Sequence, residues 1–138
     1  MTSQLNVDTI VDKAGSGGTN VKIGNTSTYV SEGGSATQNT VQGLGKAWCN
    51  YVTASTFVNN DSFNVASLTD AGTGRCKIVF TNVFSNDKFA STGLSGVGYG
   101  QYSLNGQETN LADHLTYDGS NSAADSSENT MVAHGDLA

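Results

Sequence analysis

Apolar and polar side chains alternate with a period of two at several places along this chain, and that alternation predicts strands rather than helices. Residues 47–52, AWCNYV, and 75–80, RCKIVF, carry it most clearly. In the second run Cys76, Ile78 and Phe80 share one face, and Lys77, Val79 and Thr81 share the other. SFNVASL (62–68) precedes that run, with TDAGTG (69–74) between them. Asp70, Gly72 and Gly74 supply the positions that accept positive φ, so the stretch reads as a β-hairpin. TFVNN (56–60) reads as a strand ending in a turn. DKFASTGL and GVGYGQYSL give two more strands, and TMVAHGDL gives a closing one. Residues 105–128 read as loop, with NLADHLTY (110–117) open to either a strand or a single helical turn.

The first 45 residues have a different texture. QLNVDTIVD (4–12) alternates, with Leu5 and Val7 on one face and Asp8 on the other, and breaks at KAGSGG. A short run, TNVKIG, follows, and then polar NTSTYVSEGGSATQ. Strands this short cannot bury themselves. Leu5, Val7, Ile10, Val21 and Ile23 therefore need apolar partners from another layer or another copy of the chain. Val41, Leu44 and Ala47 lie three apart within 38–47, which permits a short helix that Gly43 and Gly45 weaken. Short strands at regular spacing, with turn signals between them, predict an all-β fold: a small antiparallel sandwich or barrel.

Composition sharpens this picture. Leu, Ile, Val and Phe make up only 28 of 138 residues, so the supply of core is thin. Charged residues are 13%, against about 25% in an average protein, and Ser, Thr, Asn and Gly fill the gap. The net charge of −6 is one-sided: residues 1–104 are neutral, and Glu108, Asp113, Asp118, Asp125, Glu128 and Asp136 carry the whole excess. A chain with no Lys or Arg after Lys88 does not track a phosphate backbone, so nucleic acid is not expected as a partner. No apolar run approaches membrane-spanning length, so membrane insertion is not expected. MTSQLNVDTIVDKAG lacks the basic and apolar regions of a secretory signal, which points to synthesis in the cytosol.

The chemistry-bearing residues form no reactive motif. Asp113 precedes His114 directly, and neighbours on a strand face opposite ways, so they make no local dyad. His134 is the second histidine. GLSGV (93–97) spells part of a nucleophile elbow without its strand–turn–helix setting, and GVGYG lacks the lysine and helix of a phosphate loop. Asp118, Asn121, Asp125 and Glu128 offer oxygen ligands without the spacing of a calcium loop. Cys49 and Cys76 allow one pairing and no zinc set, and read as free buried thiols. No catalytic residue, metal or cofactor is therefore expected. Tyr99, Tyr102 and Tyr117 stand among Ser, Asn and Gly, a composition suited to adaptable binding and shared by core aromatics, a reading that fits Tyr99 best. With Asp118 they form the candidate recognition site, in loops that a scaffold lets vary.

SQLNVDTIVDKAGSGGTNV, TQNTVQGLGKAW, DSFNVASLTDAGTGRCKIVFTNVFSNDKFASTG and the terminal MVAHGDLA together resemble tail-fibre-like and appendage proteins of tailed bacteriophages, marine ones especially. The resemblance covers most of the chain and is least at 103–125. It implies an intertwined N-terminal stem over 1–45 that forms a homotrimer, and a β-rich knob over 46–138. It implies a virion structural protein, joined to other virion proteins by the stem and exposing the knob to a host glycan or protein. The stem is short for a tail-docking part, so decoration of the head stays beside the tail location. A carbohydrate-degrading fibre tip is a further alternative. It would need two convergent carboxylates, with Asp113, Asp118 and Asp125 as the candidates.

Overall fold

A computed structural model of the chain describes residues 28–30, 37–39, 43–96 and 102–138. The chain divides into two compact units, 1–41 and 42–138. In the first, β1 (Thr28–Val30) pairs antiparallel with β2 (Thr37–Asn39). Leu5, Val7, Ile10, Val21 and Ile23 lie outside the described residues. So does part of the helix considered at 38–47, whose first residues belong to β2 and whose last, Ala47, opens β3.

The second unit is all-β. It holds β3 (Ala47–Val52), β4 (Val58–Phe63), β5 (Val65–Asp70), β6 (Arg75–Phe80), β7 (Ala90–Ser95), β8 (Tyr102–Glu108), β9 (Leu111–Thr116) and β10 (Asn129–His134). These form two four-stranded antiparallel sheets, ordered β4-β3-β10-β7 and β5-β6-β9-β8. Alternation built three of the four central strands. β3, β6 and β10 each bury every second residue, as half-buried strands do. Cys76, Ile78 and Phe80 point inward together.

Inward-facing residues of both sheets join in one core: Ala47, Cys49, Tyr51, Met131 and Ala133 from the first, Cys76, Ile78, Phe80 and Ala112 from the second. Phe84 and Phe89, between β6 and β7, close one end of it. Phe84 stacks on Phe89 with ring centroids 4.1 Å apart, and Phe80 meets both edge-on. With so few large aliphatics to spend, the core also takes in polar side chains and bonds them within the protein, although Asn129 Oδ1 has no hydrogen-bond partner among the described residues. Thr53 Oγ1 accepts from Ser126 N at 2.8 Å, and Ser126 Oγ donates to the Glu128 carbonyl at 2.8 Å. The Asn129 amide lies against the Tyr51 carbonyl and Thr53 Oγ1, both at 3.4 Å.

Three sequence expectations change. SFNVASL is not one strand: the chain ends β4 at Phe63, turns at Asn64 with φ 58°, and enters the other sheet as β5. The apolar alternation of Phe63 and Val65 continues across the corner, and the asparagine in the left-handed region makes the crossing. Asn64 is also a pin. Its Oδ1 accepts from Asn82 N at 2.6 Å, and its Nδ2 donates to the Lys46 and Asn82 carbonyls, both at 3.0 Å. Next, VNN at 58–60 does not end a strand but begins β4, an edge strand too exposed to alternate. Finally, much of 105–128 is not loop, because β8 runs to Glu108 and NLADHLTY supplies β9.

Asn64→Ala is expected to cost about 2–3 kcal/mol, combining left-handed backbone strain with the loss of its partly exposed hydrogen bonds to Lys46 and Asn82. Asn64→Gly, which keeps the conformation open, should cost clearly less. Urea midpoints of the two variants and wild type measure this; equal losses would mean the backbone conformation contributes nothing.

Candidate functional site

Of the four residues expected to form a recognition site, Tyr99 lies outside the described residues. Tyr102 opens β8 opposite Thr116, which brings its backbone beside the end of β9. Tyr117 follows directly and makes an isolated bridge to Ala123, closing a tight loop. Asp118 builds that loop: its Oδ1 accepts from Ser120 N at 2.8 Å and Ser122 N at 2.9 Å, and Asn121 takes φ 62°. Tyr117 and Asp118 are both half-buried. Register thus gathers Tyr102 and the 117–123 loop at one end of the second sheet.

The other candidate carboxylates have structural partners. Asp113 points away from His114 and binds Arg75 through both oxygens, Arg75 Nε lying 2.9 Å from Oδ1. This two-point guanidinium contact joins β9 to β6. Asp125 Oδ1 accepts from Gly74 N at 2.6 Å and ties its loop to the hairpin turn. Asp118 and Asp125 therefore serve separate local tasks, and Glu128 is bonded through its backbone to Ser126 Oγ. Among the described residues no cluster of His, Cys, Asp and Glu is placed to hold a metal ion, and no helix is long and apolar enough to cross a membrane.

One polar pair has the spacing of a nucleophile and its base. Ser91 Oγ and His114 Nε2 share a hydrogen bond at 2.9 Å between β7 and β9. His114 is 1% exposed, however, and burial pushes its pKa down to about 4, with the Asp113 charge opposing only weakly. An imidazole with so low a pKa is a poor proton acceptor. The bond instead satisfies polar atoms enclosed between the strands. His134, at the end of β10, is half-buried and lines a shallow cleft with Lys88 and Asp136 over Phe84 and Phe89.

Cys49 and Cys76 are free thiols in the core, each pushed up to about 12 by burial. The thiolate is the reactive form, so neither cysteine should label with a thiol reagent over minutes in the native protein. Both should label at once in denaturant. Rapid native labelling of Cys76 would contradict its inward placement.

Sequence reasoning missed the outer face of the β4-β3-β10-β7 sheet. Here Phe63 is 55%, Trp48 40% and Leu94 76% exposed. Trp48 stands opposite Phe63 on one side and Val132 on the other. A signal for this was present. If Cys49 and Tyr51 of AWCNYV face inward, Trp48 must face out, and an outward tryptophan on a central strand is unusual enough to mark a surface.

No known protein family matches this chain, and neither a search of characterised proteins nor one of solved structures returns a match.

Proposed function

We propose that this chain is a structural protein of a bacteriophage virion: a tail-fibre-like appendage whose β-sandwich knob, over 46–138, meets a host or partner surface. In this reading the 1–45 segment is a stem that intertwines three copies and joins them to other virion proteins. The phage assignment comes from the sequence resemblance. The observation that carries a binding role is the division of labour in the knob. Its buried chemistry-bearing groups make structural contacts, while Trp48, Phe63 and Leu94 lie exposed on one sheet face. Enzymes hold their convergent acids and bases in an accessible site. The engagement of Asp113, Asp118 and Asp125 in separate contacts supports the non-enzymatic reading over a sugar-cleaving tip.

The test is particle assembly and host adsorption for two sets of variants. Knob variants, Trp48→Ala and Tyr117→Ala, should assemble normally and adsorb poorly. Stem variants, Leu5→Asp and Val7→Asp, should fail to incorporate. Normal adsorption by every knob variant would remove the recognition role and favour decoration of the head.

A further inference from the structure

The exposed sheet face sets an aromatic row directly beside a polar one. Phe63, Trp48, Val132 and Thr92 stand opposite one another across β4, β3, β10 and β7. Two residues along each strand lies a second row: Asp61, Asn50, Thr130 and Leu94. Opposite side chains in such rows are about 5 Å apart, and the two rows are separated by about 7 Å. The bulge between Asn50 and Tyr51 falls just beyond these rows and leaves their pairing intact.

Hydrogen bonds within the protein hold the polar row in place. Asn60 Nδ2 donates to Asn50 Oδ1 at 2.7 Å, which fixes the Asn50 amide. Ser62 N donates to Asp61 Oδ1 at 2.8 Å, and Leu94 N donates to Thr130 Oγ1 at 3.2 Å. Groups fixed before binding lose less entropy when a ligand arrives.

We propose that this face is a binding site for a neutral pyranose of a glycan. The ring's C–H face lies on Trp48 and Phe63, and its hydroxyls meet Asn50, Asp61 and Thr130. Tryptophan and phenylalanine give a flat apolar area at low entropy cost, while the adjoining amide, carboxylate and hydroxyl match the donors and acceptors of a sugar. Charge selects the ligand class. Neither row contains Lys or Arg, and Asp61 is its sole charge. An anionic glycan or a nucleic acid would meet that carboxylate with no cation in either row to offset it. An apolar protein patch laid over both rows would desolvate Asp61 and Asn50 without satisfying them. A neutral polyol satisfies both rows.

The proposal rests on the surface-binding reading but not on a virion location. Trp48 is the single tryptophan of the chain, so its emission reports the site directly. The full chain is titrated with short oligosaccharides of glucose, galactose, mannose and N-acetylglucosamine, and with a sulfated oligosaccharide as the charged control. At least one neutral sugar should change the emission saturably, and the sulfated one should not. Phe63→Ala should weaken that binding about tenfold or more, as loss of an aromatic anchor does. Asn50→Ala should weaken it too, with thermal unfolding of both variants close to wild type. No response to any neutral sugar, equal binding of the sulfated one, or undiminished binding by Phe63→Ala would each overturn the proposal. Emission that varies with protein concentration, alongside association in sedimentation that Phe63→Ala abolishes, would assign the face to a second copy and overturn it as well. Sugar binding by a chain absent from virus particles would overturn the virion reading alone. A chain present in particles but blind to sugars would overturn this inference alone.

Discussion

Replacing Gly74 with alanine is expected to remove about 4 kcal/mol of stability or more, enough to unfold much of a marginal domain. Gly74 ends the turn between β5 and β6 with φ 67°, where a Cβ is strained on its own account. The larger effect is steric. A Cβ there would lie 2.6 Å from the Thr116 carbonyl oxygen, 2.7 Å from Ala124 N and 2.9 Å from Ala124 O. All three are backbone atoms, so no side chain can rotate away. Three segments meet at this point. Gly74 O accepts from Thr116 N at 2.8 Å, Gly74 N donates to Asp125, and Thr116 Oγ1 donates to Ala124 O at 2.6 Å. Moving the backbone to admit a methyl group would therefore break bonds in all three. Gly72, two residues earlier at φ 117°, has nothing within 4 Å of its Cβ position. Gly72→Ala should thus show backbone strain alone, about 1–3 kcal/mol. Denaturant unfolding of both variants separates steric from conformational cost, and equal losses would contradict the three-segment packing.

Acid should destabilise the knob well before its carboxylates are all protonated, and His114 is the reason. Its folded pKa is about 4, against an ordinary 6.5. As pH falls through 6.5, the unfolded chain takes up a proton that the folded protein refuses until about pH 4. Protonation thus favours unfolding across that window, and stability drops with falling pH. The interval corresponds to about 3 kcal/mol, fully present above pH 7 and gone below pH 4. His114→Gln keeps a polar partner for Ser91 but does not titrate. Carboxylates contribute alike to both proteins, so the difference between their pH profiles isolates the histidine. The variant should lose about 3 kcal/mol less than wild type between pH 7 and pH 4. Parallel profiles would mean that His114 is reached by solvent in the folded state.

The central strands were the legible part of the fold. AWCNYV and RCKIVF coincide with β3 and β6, because a strand with one face in the core must alternate. Edge strand β4 was not legible, since VNNDSF is exposed almost throughout and selection for alternation is absent there. Nor was the point at which the chain first changes sheet. Between β4 and β5 that change is made at Asn64, and asparagine occupies ordinary turns as readily as it does this corner. β9 was legible only as one of two alternatives: LADHLT places Asp113 and His114 side by side, both buried on opposite faces, one by Arg75 and one by Ser91. Polar residues read as loop until their partners, distant in sequence, are known.

The candidate site divides along the same line. Tyr117 and Asp118 stand out in the sequence because Gly, Ser and Asn surround them, and the loop there is a local structure. The rows of the outer sheet face combine residues from four strands, and only the register joins Asp61 to Asn50 or Val132 to Trp48. A list of residue types contains no such information. Parity within β3 could have told the direction of Trp48, but nothing in the sequence places Phe63 beside it.

The most direct measurement is the location of this chain in purified virus particles by cryo-electron microscopy. If the chain is a virion appendage, three copies of a two-sheet knob will stand at the particle surface, joined at their N-terminal segments, with the Trp48 face turned toward solvent. Particles whose density leaves no place for the chain, or a chain found in infected cells and absent from particles, would contradict it.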